Sequence, residues 1–225
     1  MRLLILHFFI LSMSTGACFS QNKSSDGKSI EGWYFKAISG YPASITFRPV
    51  VLFKDGLYFK VKEKPIDDLD TQKSRIEDSP RWGKWERNQD LFTLTDAKGR
   101  VKVYNLRKGN WFPAFPFNTS ISLKGKYKKV SGGVYNNGVL ALFQSQITFL
   151  DDSHFTNSEN TGIMAYSSQA WKSNKSSGTY KIYDNVIELS YNQGEKVRLS
   201  FAIGTEGYDP MDTDMIFIGG KAFVR

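Results

Sequence analysis

Along most of the chain, apolar and polar residues alternate with a period of two. That spacing lets a strand turn one face to a core and the other to water. Ile45 to Phe53 and Leu57 to Val61 flank Lys54-Asp55-Gly56, whose glycine can take the positive φ of a tight turn. The same pattern, rich in β-branched and aromatic residues, predicts strands at Phe92–Thr95, Val101–Leu106, Val186–Tyr191, Val197–Ile203 and Met215–Ile218. Only Ile66 to Glu77 predicts a helix: Pro65 suits its first turn, Asp67, Asp68 and Asp70 suit its positive end, and Lys73 and Arg75 its other end. Its apolar stripe (Ile66, Leu69, Ile76) is thin, so this short helix near 66–77 is expected on the surface of an all-β body.

The first twenty residues break the pattern. Arg2 precedes an apolar run from Leu3 to Met13, and small residues (Ser14, Thr15, Gly16, Ala17) follow. This order predicts a signal peptide over 1–20, hence an exported chain: periplasmic, extracellular or lipid-anchored to the cell envelope. The run is shorter than the ~20 residues that cross a bilayer. Cys18 is the one cysteine in the sequence. Either Thr15-Gly16-Ala17-Cys18 acts as a lipobox and Cys18 is lipidated, or cleavage before Gln21 discards it. In both cases the body has no disulfide, thiolate nucleophile or cysteine metal site. Residues 21–30, polar and turn-rich, read as a flexible tether.

Beyond the tether, Gly-x-aromatic recurs at Gly32-Trp33-Tyr34, Gly83-Lys84-Trp85, Gly125-Lys126-Tyr127 and Gly178-Thr179-Tyr180. The first matches the third at an offset of 93 and the second the fourth at 95. Leu52-Phe53-Lys54-Asp55…Phe59 matches Thr148-Phe149-Leu150-Asp151…Phe155 at 96, which puts His154 at the place of Tyr58 and Asp152 at that of Gly56. Phe92-Thr93-Leu94…Gly99 matches Ile187-Glu188-Leu189…Gly194 at 95. Landmarks in one order at nearly one offset predict two pseudo-repeats, 31–106 and 125–225, joined by a connector over 107–124. Tyr34, Trp85, Tyr127 and Tyr180 are then equivalent core anchors.

This succession of Gly-x-aromatic, strand, Phe-x-Asp-Gly-x-aromatic, Gly-x-Tyr/Trp, strand, turn and strand resembles bacterial lipocalin-like domains, once over 32–106 and again over 125–224. The resemblance implies antiparallel lipocalin-like barrels. It implies no catalytic residues. Two packed barrels, or one larger structure sharing strands, both satisfy the pattern, and two packed units are favoured.

Candidate chemistry is sparse. His154 is the one histidine outside the signal, so a Ser-His-Asp site would need it; a strand residue beside a turn is the simpler reading. No nucleophile elbow, phosphate loop or paired-histidine zinc motif is present. Asp209, Asp212 and Asp214 lack the glycine and distal glutamate of a calcium loop and read as a solvated turn before Met215. No metal and no cofactor is expected. Trp111-Phe112-Pro113-Ala114-Phe115-Pro116-Phe117 is unusual, because its prolines argue against a central strand. It is expected either to plug one unit against the other or to form an aromatic lip. Trp82, Trp111, Phe112 and Phe115 are the candidate ligand contacts, with Phe115 nearer the plug and Trp111 or Trp82 nearer the lip.

The formal net charge is +8, with Lys124, Lys126, Lys128 and Lys129 around one strand and Lys172 and Lys175 in a loop. Solvated strand faces account for this, as would attraction to anionic lipid or glycan groups of an envelope; no nucleic-acid motif is present. The expected function is non-enzymatic: a small hydrophobic or amphipathic ligand held in a β-barrel of an envelope protein. The alternative is a structural or protein-interaction module whose barrels are filled by their own side chains.

Overall fold

The computed structural model describes residues 29–40, 44–134, 140–165, 168–205 and 209–225, with side chains described outside 39–45, 130–143 and 160–173. The signal peptide, Cys18 and most of the tether lie outside the described residues. So do Tyr208 and the side chain of Lys172.

The described residues form fifteen strands, seven of them where the alternation predicts them, and Lys172 and Lys175, expected in a loop, lie within a strand over Ser168–Tyr183. The first six are β1 (Ile30–Gly40), β2 (Ser44–Phe53), β3 (Leu57–Lys60), β4 (Trp82–Asn88), β5 (Leu91–Asp96) and β6 (Val101–Asn105), and β7 (Trp111–Phe115) comes from the connector. The second half holds β8 (Gly125–Val134), β9 (Leu140–Phe149), β10 (His154–Ala165) and β11 (Ser168–Tyr183). It continues with β12 (Val186–Tyr191), β13 (Lys196–Gly204), β14 (Met215–Ile218) and β15 (Lys221–Val224). Strands β8 to β15 pair in chain order, and Val224 of β15 lies opposite Lys128 of β8, which closes an eight-stranded antiparallel barrel. This is the architecture of a lipocalin-like barrel. Its interior is a single apolar cluster, from Tyr127, Phe149 and Phe155 to Ile187, Phe201 and Ile216, and the segment before β8 sends Ile121 and Leu123 into the same cluster.

In the first half the order is β7-β1-β2-β3-β4-β5-β6, seven strands. Their outer edges meet at one isolated bridge, Leu106 with Trp111, and it is parallel. Trp111 fills this seam, stacked on Tyr34 at 5.2 Å and on Tyr104 at 5.0 Å. Around them Val50, Leu52, Tyr58, Phe92 and Leu94 complete the first-half core. The opposite faces of β1 to β3 (Trp33, Phe35, Val51, Phe53, Phe59) pack on Ala202 and Phe217 of the second barrel, a third apolar layer between the halves.

The connector therefore contributes a strand. β7 pairs with β1 through Trp33↔Ala114 to Lys36↔Trp111, and with β13 through Ile203↔Phe115 and Gly204↔Ala114. One ladder runs through both halves, with β7 shared between β1 and β13. Contrary to the expectation from its prolines, Trp111–Phe115 lies in a central strand, paired on both sides. Ala37 N–H donates to the Asn110 carbonyl at 3.0 Å, and alternation then makes Tyr34↔Pro113 a pair without mutual hydrogen bonds. Pro113 gives up no donor toward β1, and pairing with β13 begins at Ala114.

The helix is shorter than the pattern predicts. Ile66–Asp68 is a 3-10 turn, Leu69 is extended, and α1 spans Thr71–Glu77. Asp70 is its N-cap, accepting from the Lys73 N–H at 3.0 Å, a use that ends the preceding turn. Ile66 is buried, but Ile76 is 81% exposed, so only part of the thin stripe packs.

The ladders also correct the middle of the sequence matching. Gly32 lies opposite Leu52, and Gly125 opposite Phe149. Leu52 and Tyr58 turn inward, as Phe149 and Phe155 do, whereas Phe53 and Phe59 turn to the layer between the halves. In a strand one residue changes the face, so it is Tyr58, paired with Leu52, that sits inside its half as Phe155, paired with Phe149, does in the other.

Candidate functional site

The four aromatic candidates sit on two elements. Trp111 is fully buried and Trp82 nearly so. Trp82 starts β4 under α1; its indole N–H donates to Ser74 Oγ at 3.0 Å, its ring stacks on Phe53, and the Arg75 guanidinium lies 5.3 Å above it. Phe112 is half-buried and stacks on Phe35 at 5.2 Å. Phe115, also half-buried, packs against the second-barrel core. The structure thus spreads them over the layer between the halves and the two cores, and does not gather them in one pocket. The Trp111 indole N–H is buried without a hydrogen-bond partner.

His154 belongs to the β9–β10 turn. Ser153 Oγ and the Asp151 carboxylate both contact the same ring nitrogen, Nδ1, at 3.1 and 2.9 Å. A proton relay needs the acid on one ring nitrogen and the nucleophile on the other, so this triplet does not form one. It is an Asx turn: Asp151 Oδ1 accepts the Ser153 and His154 backbone N–H groups, which hold its carboxyl below the usual carboxylate range. Asp209 likewise caps the Met211 N–H at 2.8 Å. No group of His, Cys, Asp or Glu among the described residues could hold a metal ion.

Two charged features stand out. The first is the open end of the first-half interior. Strand alternation places Lys36, Arg48, Lys60 and Lys102 on the faces that carry Tyr34, Val50, Tyr58 and Tyr104. Burial, then the neighbouring Lys60, Lys102 and Arg48, pull Lys36 from its ordinary 10.5 to about 8. Asp96, the carboxylate of this end, is bound by Arg100 at 2.7 Å, and that hydrogen bond holds its pKa at about 2.

The second feature is a cleft of about 1820 Å³ between the halves, bounded by β2, β3 and α1 on one side and β8 and β15 on the other. Eleven Lys and Arg residues line it, against five Asp and Glu. Arg48 and Lys60 belong to both features. Sequence reading singled out Lys126, Lys128 and Lys129, but could not see that the strand after the Lys54-Asp55-Gly56 turn and the helix bring a second set of cations to face them.

Among the described residues no helix is long and apolar enough to cross a membrane. No family model, no curated protein and no solved structure matches the chain.

Proposed function

We propose that the protein is a non-enzymatic interaction module of the cell envelope, exported by its first twenty residues, whose barrels are filled by their own side chains. The observation that carries this reading is the packing of the closed barrel. Tyr127, Ile187, Phe201, Ile203 and Ile216 have no exposed surface at all, and Phe149 and Phe155 about 1%. An interior roomy enough for a ligand would leave some of these side chains touching a water-sized void. Recognition then falls to the outer surface. Native mass spectrometry of protein purified from its own host tests this: the mature chain should fly without a small molecule attached. A stoichiometric lipid-sized adduct would overturn the reading.

One observation favours a second reading, an amphipathic ligand held by the first half. Lys36, Arg48, Lys60 and Lys102 ring an aromatic floor, and the Trp111 N–H in that floor has no partner. An anionic head group on these cations would suit such an arrangement, and the same adduct measurement reports it.

We also infer that the two halves descend from one duplicated unit. The support is local. Gly83 faces Asp96 as Gly178 faces Tyr191, and Trp85 faces Leu94 as Tyr180 faces Leu189. Trp85 Nε1 donates to the Phe53 carbonyl at 2.9 Å, and Tyr180 Oη to the Asp151 carbonyl at 2.8 Å, each at the end of the neighbouring hairpin. On this reading β7 takes the place of β15, and the first half lacks a counterpart of β14.

A further inference from the structure

We infer that the cleft between the halves binds a linear anionic polysaccharide. This rests on the interaction-module reading and names the partner of its outer surface. Its five carboxylates are already occupied. Glu63 pairs with Lys221 at 3.7 Å, Asp68 with Arg198 at 2.7 Å, Glu77 with Lys73 at 3.8 Å and Asp78 with Lys62, while Asp70 caps α1. Lys64, Arg81, Lys126 and Lys128 have no carboxylate partner among the described residues, and they line the cleft from its two sides, Lys64 and Arg81 from the segments around α1 and Lys126 and Lys128 from β8. Like charges gathered on a concave surface repel, and they focus a positive potential that a polyanion relieves. Lys126 and Lys128 stand on one face of β8 about 7 Å apart, a spacing that meets charges repeated along an extended chain.

The shape and lining select among polyanions. A bilayer surface is flat and cannot enter a groove, and an interfacial binder needs an exposed apolar face beside its cations. Single-stranded nucleic acid needs aromatic platforms for its bases. Phe47 and Phe59 are the aromatic residues of the lining, and Phe59 is buried. A sugar chain carrying carboxylate, sulfate or phosphate groups requires only cations, backbone acceptors and room.

Equilibrium binding of a heparin oligosaccharide to the full mature protein tests the assignment, with two double variants, Lys126→Glu/Lys128→Glu and Lys64→Glu/Arg81→Glu. The control Lys84→Glu/Lys108→Glu carries the same net charge away from the cleft. The wild type should bind with a steep salt dependence. Each cleft pair should weaken binding about tenfold or more and flatten the salt slope, and the control should weaken it less than about threefold. No binding by the wild type, or equal losses in control and cleft variants, overturns the proposal. So does tighter binding, through the same residues, to phosphatidylglycerol vesicles or to an oligonucleotide of equal charge. These failures are separate from a small-molecule adduct, which would overturn the module reading instead.

Discussion

The two halves solve the same closure problem with different numbers of strands. In the second half eight strands run alternately up and down, so the last meets the first antiparallel, and Val224 can lie opposite Lys128. Arg225 then reinforces that seam, donating to Tyr127 Oη at 2.8 Å and to Thr213 Oγ1 at 3.2 Å. In the first half seven strands leave the edge strands parallel, and they meet at one bridge, Leu106 with Trp111. An odd strand number removes the regular antiparallel ladder that would close the sheet, and stacked aromatic rings hold its place. The first half also leans on the second, because β7 pairs with β13 as well as with β1. A barrel can therefore be closed by side chains where its ladder cannot close it, provided a neighbour holds the loose strand.

The comparison is broken most directly at the aromatic seam. Trp111→Ala should cost about 3–5 kcal/mol in denaturant unfolding, as for other large buried aromatics. It should also lower amide protection in β5 and β6 before β8 to β15; uniform loss would show that the seam does no special work. Next come two glycines closely approached by a neighbouring strand, Gly83 on β4 and Gly178 on β11. A methyl group at Gly83 would run into the Thr95 carbonyl and the Tyr58 ring, and one at Gly178 into the Ser190 carbonyl. Both backbones are closely approached, so Gly83→Ala and Gly178→Ala should each cost about 1–3 kcal/mol. A large cost at one site only would break the equivalence.

Smaller effects sharpen it. Trp85→Phe and Tyr180→Phe each remove a hydrogen bond to a carbonyl at a hairpin end, and each should cost about 1 kcal/mol. Calorimetric melting of the pair of variants should show matched shifts. Smallest is the pH effect of Lys36. Its folded value of about 8 lies below the ordinary 10.5, so between those values the unfolded chain binds the extra proton. Stability should therefore rise with pH from about 8 toward 10. Above pH 10, Tyr58 and Tyr180, pushed up to about 12 chiefly by burial, stay neutral in the fold and reverse the trend. In Lys36→Met the rise should shrink in melting curves taken across this range, leaving the part that Lys60 and Lys129, also pulled down chiefly by burial, contribute.

The all-β class and about half of the strands were legible in the sequence because period-two alternation and turn residues act locally. The strands around Gly56, Gly99 and Gly194 fall where the pattern puts them. What was not legible depends on partners far away in the chain. Pro113 looks like a strand breaker until the alternation of β1 shows that its missing N–H is not needed there. Phe53 and Leu52 are equally apolar, and only the ladder reveals which faces the interior and which the layer between halves. The aromatic candidates show the same limit: in the sequence Trp82 and Trp111 signal a site or a core with equal strength, and only the fold shows that both are buried. The cleft was half visible as the lysines before and on β8, while Arg48, Lys64 and Arg81, far away in the chain, join it only in the fold.

The proposal that the barrels are filled by their own side chains is tested most directly by titrating indole and a fluorescent fatty acid against the wild type and Trp111→Ala. The wild type should take up neither probe, and Trp111→Ala should bind indole in the space the side chain vacates, as carved apolar cavities do. Phe155→Ala offers the same test in the second barrel should the first variant be too unstable to fold. Saturable one-to-one uptake of either probe by the wild-type protein would contradict the account.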